Sequence, residues 1–360
     1  MKRLFLLYII ITVLLSLSVS CIHNKKKQDI PKEYTFFPLP PDTAKIQFLL
    51  SINSSTDIEG EQSGFNKFIF GEQKPKTMLK PYGVQIHNGK IYVCDTGVKG
   101  IVIIDLEKNT FDYFIPQGRG TLKLPISCFV DKKGYLFIAD GNRRQIVVFD
   151  DKLSYVNAFG EAENFKPTDV FVTNDTIWVA NVKNHHIEVY KNDSTYKHLS
   201  YFPEIEHGSE AYLNQPTNIS VTQDKIYVTD FGSFKVKIYN HSGEFIGSVG
   251  HYGKSFGQFV RPKGIALDNE ENLYVVDAAF QNIQIFNKKK QLLMFFGGAY
   301  SGPGSMSLPA KIDIDYNNKR YFQKYVDPKF NIKYLILVTN LYGGNKLNIY
   351  ARVEARNKNE

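Results

Sequence analysis

One pattern of apolar and polar positions recurs along most of this chain. A proline opens a short apolar strand and a turn follows. A second, mostly apolar run then ends in Asp or Asn, and after another turn comes a third apolar run. The prolines are Pro81, Pro125, Pro167, Pro216, Pro262 and Pro309, spaced by 42 to 49 residues. The second runs are Ile91–Asp95, Leu136–Asp140, Ile177–Asn181, Ile226–Asp230, Leu273–Asp277 and Ile336–Asn340. The third runs are Ile101–Ile104, Ile146–Phe149, Ile187–Tyr190, Val236–Tyr239, Ile283–Phe286 and Leu347–Tyr350. Strands that are apolar without alternation suit sheets covered on both faces. A period of this length holding several strands is the signature of propeller blades. The pattern predicts an all-β, six-bladed propeller. It overrides the two-domain expectation that 360 residues would otherwise raise.

The ends of the pattern predict how the ring closes. The sixth unit stops after its third run, near Val353, whereas Lys45–Ser51 is a strand with no unit of its own. Placing it as the outer strand of the last blade removes an open edge. The propeller is therefore expected over residues 44–353, with 354–360 a polar tail.

The best-formed unit carries a resemblance. Gly247–Gly250, Gly257–Ile265, Leu273–Asp277 and Ile283–Phe286 resemble NHL repeats, and the likeness extends over all six units. It implies that the turns before the first strand and after the second share one face, and that first strands line a central channel. The stretch Tyr334–Tyr350 resembles a group of exported bacterial NHL lipoproteins. Genes for that group often neighbour those of multihaem cytochromes.

The N-terminus supplies an address. Lys2 and Arg3 precede an apolar run from Leu4 to Val19, too short and too rich in Ser and Thr for a span. Ser20-Cys21 resembles a lipoprotein cleavage site, with Ser18 where Leu is usual; ordinary signal-peptidase cleavage is the alternative. The expected plan is a signal peptide at 1–20, lipid on Cys21 and a Pro-rich tether at 21–43. Ile22 after the cysteine points to the outer membrane or cell surface, with membrane contact through the lipid alone. Export changes the meaning of the net charge of +8, because five of the 44 basic residues lie before Gln28 and the rest of the chain carries only +3. That is no nucleic-acid footprint. Three cysteines exclude a disulfide scaffold and a four-cysteine zinc site. Cys94 and Cys128 fall in different blades, so a bond between them is left open.

Candidate chemistry follows from where the repeats agree and where they differ. The blade-end Asp or Asn occurs in every unit, so it serves the blade by accepting backbone N–H groups. The aromatic at the second position of five second runs reads as packing between blades. Two residues after each proline stand Gly83, Ser127, Asp169, Asn218, Gly264 and Lys311. Ser127, Asp169 and Asn218 offer oxygen atoms at one channel mouth, with Lys311 across the ring. Channel cation sites occur in lactonase-like propellers, and Ca²⁺ is the cofactor such a site would take; a water-filled polar channel is the alternative. The turns of the same face carry Lys99, Arg143, Arg144, Lys183, His185, His186, Phe231, Phe234, Phe280 and Tyr342, a basic and aromatic mixture suited to a partner. No second blade has a histidine matching His185, which argues against a zinc lyase. A basic, aromatic insertion at 316–333 is expected to dock a partner or a membrane surface, or to cover the channel bottom. The expected function is a non-catalytic platform for a protein partner on this face, such as a multihaem cytochrome. The alternatives are a cation-dependent lactonase or hydrolase and a glycan-binding module.

Overall fold

Each proline begins a strand because its fixed φ suits extended backbone and its missing N–H is not needed at the start of a ladder. The computed structural model describes residues 33–356, except Pro40, Ser63, 65–67, Phe70 and 161–162. The stretch read as a signal peptide, Cys21 and most of the stretch read as a tether lie outside the described residues. Among those described, no helix is long and apolar enough to cross a membrane.

The chain enters through β1 (Thr35–Phe37) and β2 (Ile46–Ile52). Blade one is β3 (Pro81–His87), β4 (Lys90–Asp95), β5 (Gly100–Asp105) and β6 (Thr110–Phe114). Blade two is β7 (Pro125–Val130), β8 (Leu136–Asp140), β9 (Gln145–Phe149) and β10 (Tyr155–Phe159). Blade three is β11 (Pro167–Val172), β12 (Thr176–Asn181), β13 (His186–Lys191) and β14 (His198–Phe202). Blade four is β15 (Pro216–Val221), β16 (Lys225–Asp230), β17 (Lys235–Asn240) and β18 (Phe245–Val249). Blade five is β19 (Pro262–Leu267), β20 (Leu273–Asp277), β21 (Asn282–Phe286) and β22 (Leu292–Gly297). Blade six has β23 (Pro309–Asp315), β24 (Phe330–Asn340) and β25 (Leu347–Ala355) from the C-terminal side. Blades one to five are four-stranded antiparallel sheets in chain order.

The protein is an all-β six-bladed propeller whose ring is closed as the sequence predicts. Blade six runs β1-β2-β25-β24-β23, with β2 antiparallel to β25. Two boundaries move: β25 runs on to Ala355, two residues into the stretch read as a polar tail, and Thr35–Phe37, inside the stretch read as tether, pairs with Phe48, Gln47 and Ile46 as a fifth strand. Phe37 anchors it, buried against Phe296 and Tyr350.

The core lies between the blades. Six apolar clusters fill the six interfaces, and each mixes side chains of two neighbouring sheets. Tyr92, Phe137, Trp178, Tyr227 and Tyr274 all join them, as inter-blade packing requires. The insertion in blade six is part of this core: Phe322 and Val326 pack between blades six and one. Its backbone is tied down by Gln47, whose amide donates to the Tyr325 carbonyl and accepts from the Asp327 N–H. Cys94 and Cys128 are buried free thiols at the interface of blades one and two. Burial, then Cys128 beside it, pushes the Cys94 thiol up.

Closure makes the N-terminal strand structural. Ile46 and Ile52 are fully buried and Leu49 nearly so. Removing each such side chain from its interface forfeits about 1.5–3 kcal/mol, a sum comparable with the net stability of a domain. A chain lacking residues 1–52 is expected to lose its cooperative melt or to associate through the bared edge of β25. Size-exclusion chromatography and thermal unfolding test this; a monomer melting like the intact protein would refute it.

Candidate functional site

The blade-end acids build the face on which the candidate residues sit. The Asp140 carboxylate accepts four backbone N–H groups: Lys123 (2.6 Å) and Leu124 (2.9 Å) from the segment entering blade two, and Asn142 (3.2 Å) and Arg143 (2.8 Å) from the turn after β8. Asp95 and Asp277 do the same in blades one and five. Asp230 takes Asn214 and Gln215, Asn181 takes Lys166 and Lys183, and Asn340 takes Ser307. All six are fully buried. One short side chain thus fastens the entry segment to the next turn in each blade. In blades one to five that turn closes on a residue with positive φ: Lys99, Arg144, His185, Phe234 or Gln281.

Several residues predicted to meet a partner also hold these turns together. The Arg143 guanidinium donates to the Thr121 carbonyl at 2.8 Å and to Gln145 at 2.8 Å. The Lys183 ammonium donates to the Glu163 carbonyl. His185 bonds the Asn214 carbonyl at 2.6 Å and lies against Tyr212. His186 stacks on Tyr201 with ring centroids 4.3 Å apart and lines a cleft at blade three. Burial holds its ring below the ordinary histidine value. Lys99 and Arg144 are exposed; Phe231 and Phe280 are half-buried. Phe234 packs edge-on to Tyr252, and Lys80 lies over the ring of Tyr342.

The channel residues converge on Asp169. Its Oδ1 accepts from the Ser127 hydroxyl (2.5 Å) and the Val170 N–H (3.0 Å). Its Oδ2 accepts from the Lys311 ammonium (2.5 Å), the Ile219 N–H (2.8 Å) and the Asn218 amide (3.4 Å). This set does not fit Ca²⁺. Its single carboxylate is saturated, and an ammonium group stands where a metal would bind. Among the described residues no three His, Cys, Asp or Glu side chains converge as metal ligands. First strands also press close here: a Cβ on Gly83 would lie 2.7 Å from the Ser127 Cα, and one on Gly264 2.7 Å from the Lys311 Cα. Glycine is required for that approach.

Beyond this knot lies a cavity of about 600 Å³ walled by first strands, including Phe129, Phe171, Ile219, Ile265 and Ile312. Its lining also holds Asp313 and Lys311. Asp313 accepts the Ile86 N–H at 2.9 Å, and burial raises its carboxyl to about 7. The sequence reading passed over Asp313, although an acid at an interior position of a channel strand is a legible signal. It also passed over a polar residue that interrupts the third runs of four blades: Glu188, Lys237, Gln284 and Asn348, all buried.

Comparison with known proteins agrees with this architecture. Residues 172–294 match a family model, DUF5128, described as a 6-bladed beta-propeller. No protein of curated function matches the chain. Among solved structures, a gluconolactonase from Xanthomonas campestris is 14% identical, with TM-score 0.56, over 85% of this chain and 89% of that one. A virginiamycin B lyase from Staphylococcus aureus, solved as a catalytically inactive variant with quinupristin, is 13% identical, with TM-score 0.53, over 76% and 94%. A Bacteroides thetaiotaomicron protein of unknown function is 12% identical, with TM-score 0.59, over 86% and 76%. At such identities the likeness is one of fold.

Two outcomes follow. Asp140→Ala leaves four N–H groups without their acceptor and is expected to destabilise the protein by about 3–5 kcal/mol, with Asp140→Asn milder. Urea unfolding measures both, and equal small losses would remove the role assigned to the carboxylate. Asp313 has a folded-state pKa above its unfolded value, so its contribution is full below about pH 4 and is lost as pH rises through about 7. Asp313→Asn should therefore gain progressively on wild type from about pH 4 to about pH 7, read from unfolding curves at stepped pH. Parallel profiles would show that this carboxyl is not raised.

Proposed function

We propose that this propeller is a non-catalytic, exported platform that holds a protein partner on the face built by the entry segments and the turns after the second strands. The observation that carries the reading is an arc of exposed aromatic rings on that face. Tyr252 is 60% exposed, Phe256 63% and Tyr342 53%, with Tyr300 and Leu79 also exposed. Phe256 stacks on Phe295 at 4.4 Å and Phe234 braces Tyr252, so the rings are held in place before a partner arrives. Ordered aromatics beside Lys80, Lys99 and Arg144 have the composition of interface anchors.

The finer parts of the reading rest on sequence. The leader and Ser20-Cys21 support export and a lipid on Cys21 at the outer membrane or cell surface, with the propeller carried on the tether. The NHL resemblance of the repeats, and that of Tyr334–Tyr350 to exported lipoproteins, support a multihaem cytochrome as the partner. Acidic haem propionates would suit the basic side chains. The cation-dependent hydrolase reading loses its metal because Lys311 neutralises Asp169.

The test is capture from native membranes with the full-length protein and a Tyr252→Ala/Phe256→Ala variant, followed by cross-link mapping. The expected result is one stoichiometric partner, cross-linked to segments 250–261 and 298–308 and at least tenfold weaker in the variant, whose melting point is unchanged. Haem absorbance of the eluate identifies a cytochrome. Absence of a stoichiometric partner, or cross-links confined to the opposite face, would end the proposal.

A further inference from the structure

The second residue of each third run shows how blade three departs from its neighbours. In blade four, Lys237 reaches back to the entry segment, donating to the Tyr212 carbonyl and pairing with Asp230 at 2.9 Å. In blade five, Gln284 accepts from the Gly257 N–H at 2.7 Å and donates to the Gln258 carbonyl at 2.9 Å. In blade six, Asn348 donates to the Ser305 carbonyl at 2.8 Å. Each of these side chains is covered by a long entry segment: 203–215, 250–261 or 298–308.

Blade three has Glu188 at this position, and its entry segment, 160–166, is the shorter one. Among the described residues no backbone group of that segment bonds the carboxylate. A cleft of about 490 Å³ lies over it instead. Glu188 is 7% exposed. Its Oε1 accepts from the Asn181 amide at 2.9 Å, and its Oε2 pairs with the His198 Nε2 at 2.9 Å. The charges are rearranged relative to blade four. The blade-end residue is the neutral Asn181 where blade four has Asp230, and the third-strand residue is an acid where blade four has a lysine. None of the described residues lining the cleft is Lys or Arg. The walls are aromatic: Phe159 stacks on Tyr196 at 5.0 Å, Tyr190 lies 4.8 Å from Phe159, and Tyr201 is 39% exposed at the rim.

We infer that this cleft binds an organic cation, an alkylammonium or guanidinium group that seats on Glu188 between aromatic rings. Three independent observations converge on it. Among the described residues this buried carboxylate pairs with His198, has His186 nearby and meets no Lys or Arg, so it lacks a fixed counter-charge, and such a group favours an incoming cation. Aromatic faces attract ammonium and guanidinium groups, more strongly where water is excluded. Blade four supplies the internal precedent, because there the same sheet position is filled by an ammonium group of the chain itself. The cleft is lined in part by the blade-three entry segment and the turn after β12, at the border of the partner face, but the inference uses none of the exposed rings on which that reading rests and stands or falls without it.

The cation has two possible sources, a basic side chain of a peptide or a free polyamine, and one experiment separates them. Full-length protein is titrated with N-acetyl-lysine methylamide, with spermidine and with the neutral control N-acetyl-norleucine methylamide, read by calorimetry. The expected result is saturable binding of at least one cation, none of the norleucine compound, and a loss of tenfold or more in Glu188→Gln. Tighter binding of the lysine compound assigns a peptide source, and tighter binding of spermidine a small-molecule source. Should Glu188→Gln melt lower than wild type, Tyr201→Ala at the rim is the second variant, with a threefold or greater loss expected. Absence of saturable cation binding to wild type, or binding unchanged in both variants, overturns the inference.

Discussion

A buried carboxylate held by backbone N–H groups is the interaction on which the rest of this molecule depends. Asp95, Asp140 and Asp277 each collect four N–H groups from two segments that are distant in sequence. No lysine or arginine side chain pairs with these three among the described residues. Oriented backbone dipoles stand in the place of a counter-ion. Because both segments hang from one atom group, neither can shift without breaking the other. The turns of this face therefore inherit the rigidity of the blade interior.

Rigidity explains why chemistry can be sought only where one blade departs from the others. The channel mouth departs, but its charges cancel within the protein: Lys311 crosses to Asp169, and Ser127 and Asn218 complete the shell. The third-strand position departs as well. Where the entry segment is long, its backbone meets the polar side chain; where it is short, the side chain is left facing a cleft. Loop length, more than any motif, separates a filled position from an open one.

The sequence made the ring legible because every blade must solve the same problem with the same residues. Proline at the strand start, an aromatic at the interface and an Asp or Asn at the strand end recur six-fold or nearly so, and each recurrence adds to the signal. Closure by β2 was readable from an unassigned strand at one end and a missing strand at the other. The strand Thr35–Phe37 was hidden because it has three residues and sits among prolines. Its reason for pairing, the contact of Phe37 with Phe296 and Tyr350, is a long-range one. The register of small and polar residues after each proline placed Ser127, Asp169, Asn218 and Lys311 at one mouth. It did not reveal that an ammonium would occupy the carboxylate, since that depends on the reach of a side chain across a ring.

The lactonase and lyase likeness has to be weighed against that ammonium. A fold shared at 12–14% identity fixes where a channel lies and which strands line it. It does not fix the charge at the channel mouth, which single side chains set. A divalent cation at Asp169 would have to displace the Lys311 ammonium, strip the Ser127 and backbone donors, and leave the ammonium buried beside it. Each step is unfavourable on its own, and the last places two positive charges in a low-dielectric space. The mouth is better understood as a strut across the ring, stabilising blade three against blade six. On the readings proposed above, binding falls to the exposed rings of the turn face and to the Glu188 carboxylate under its cleft.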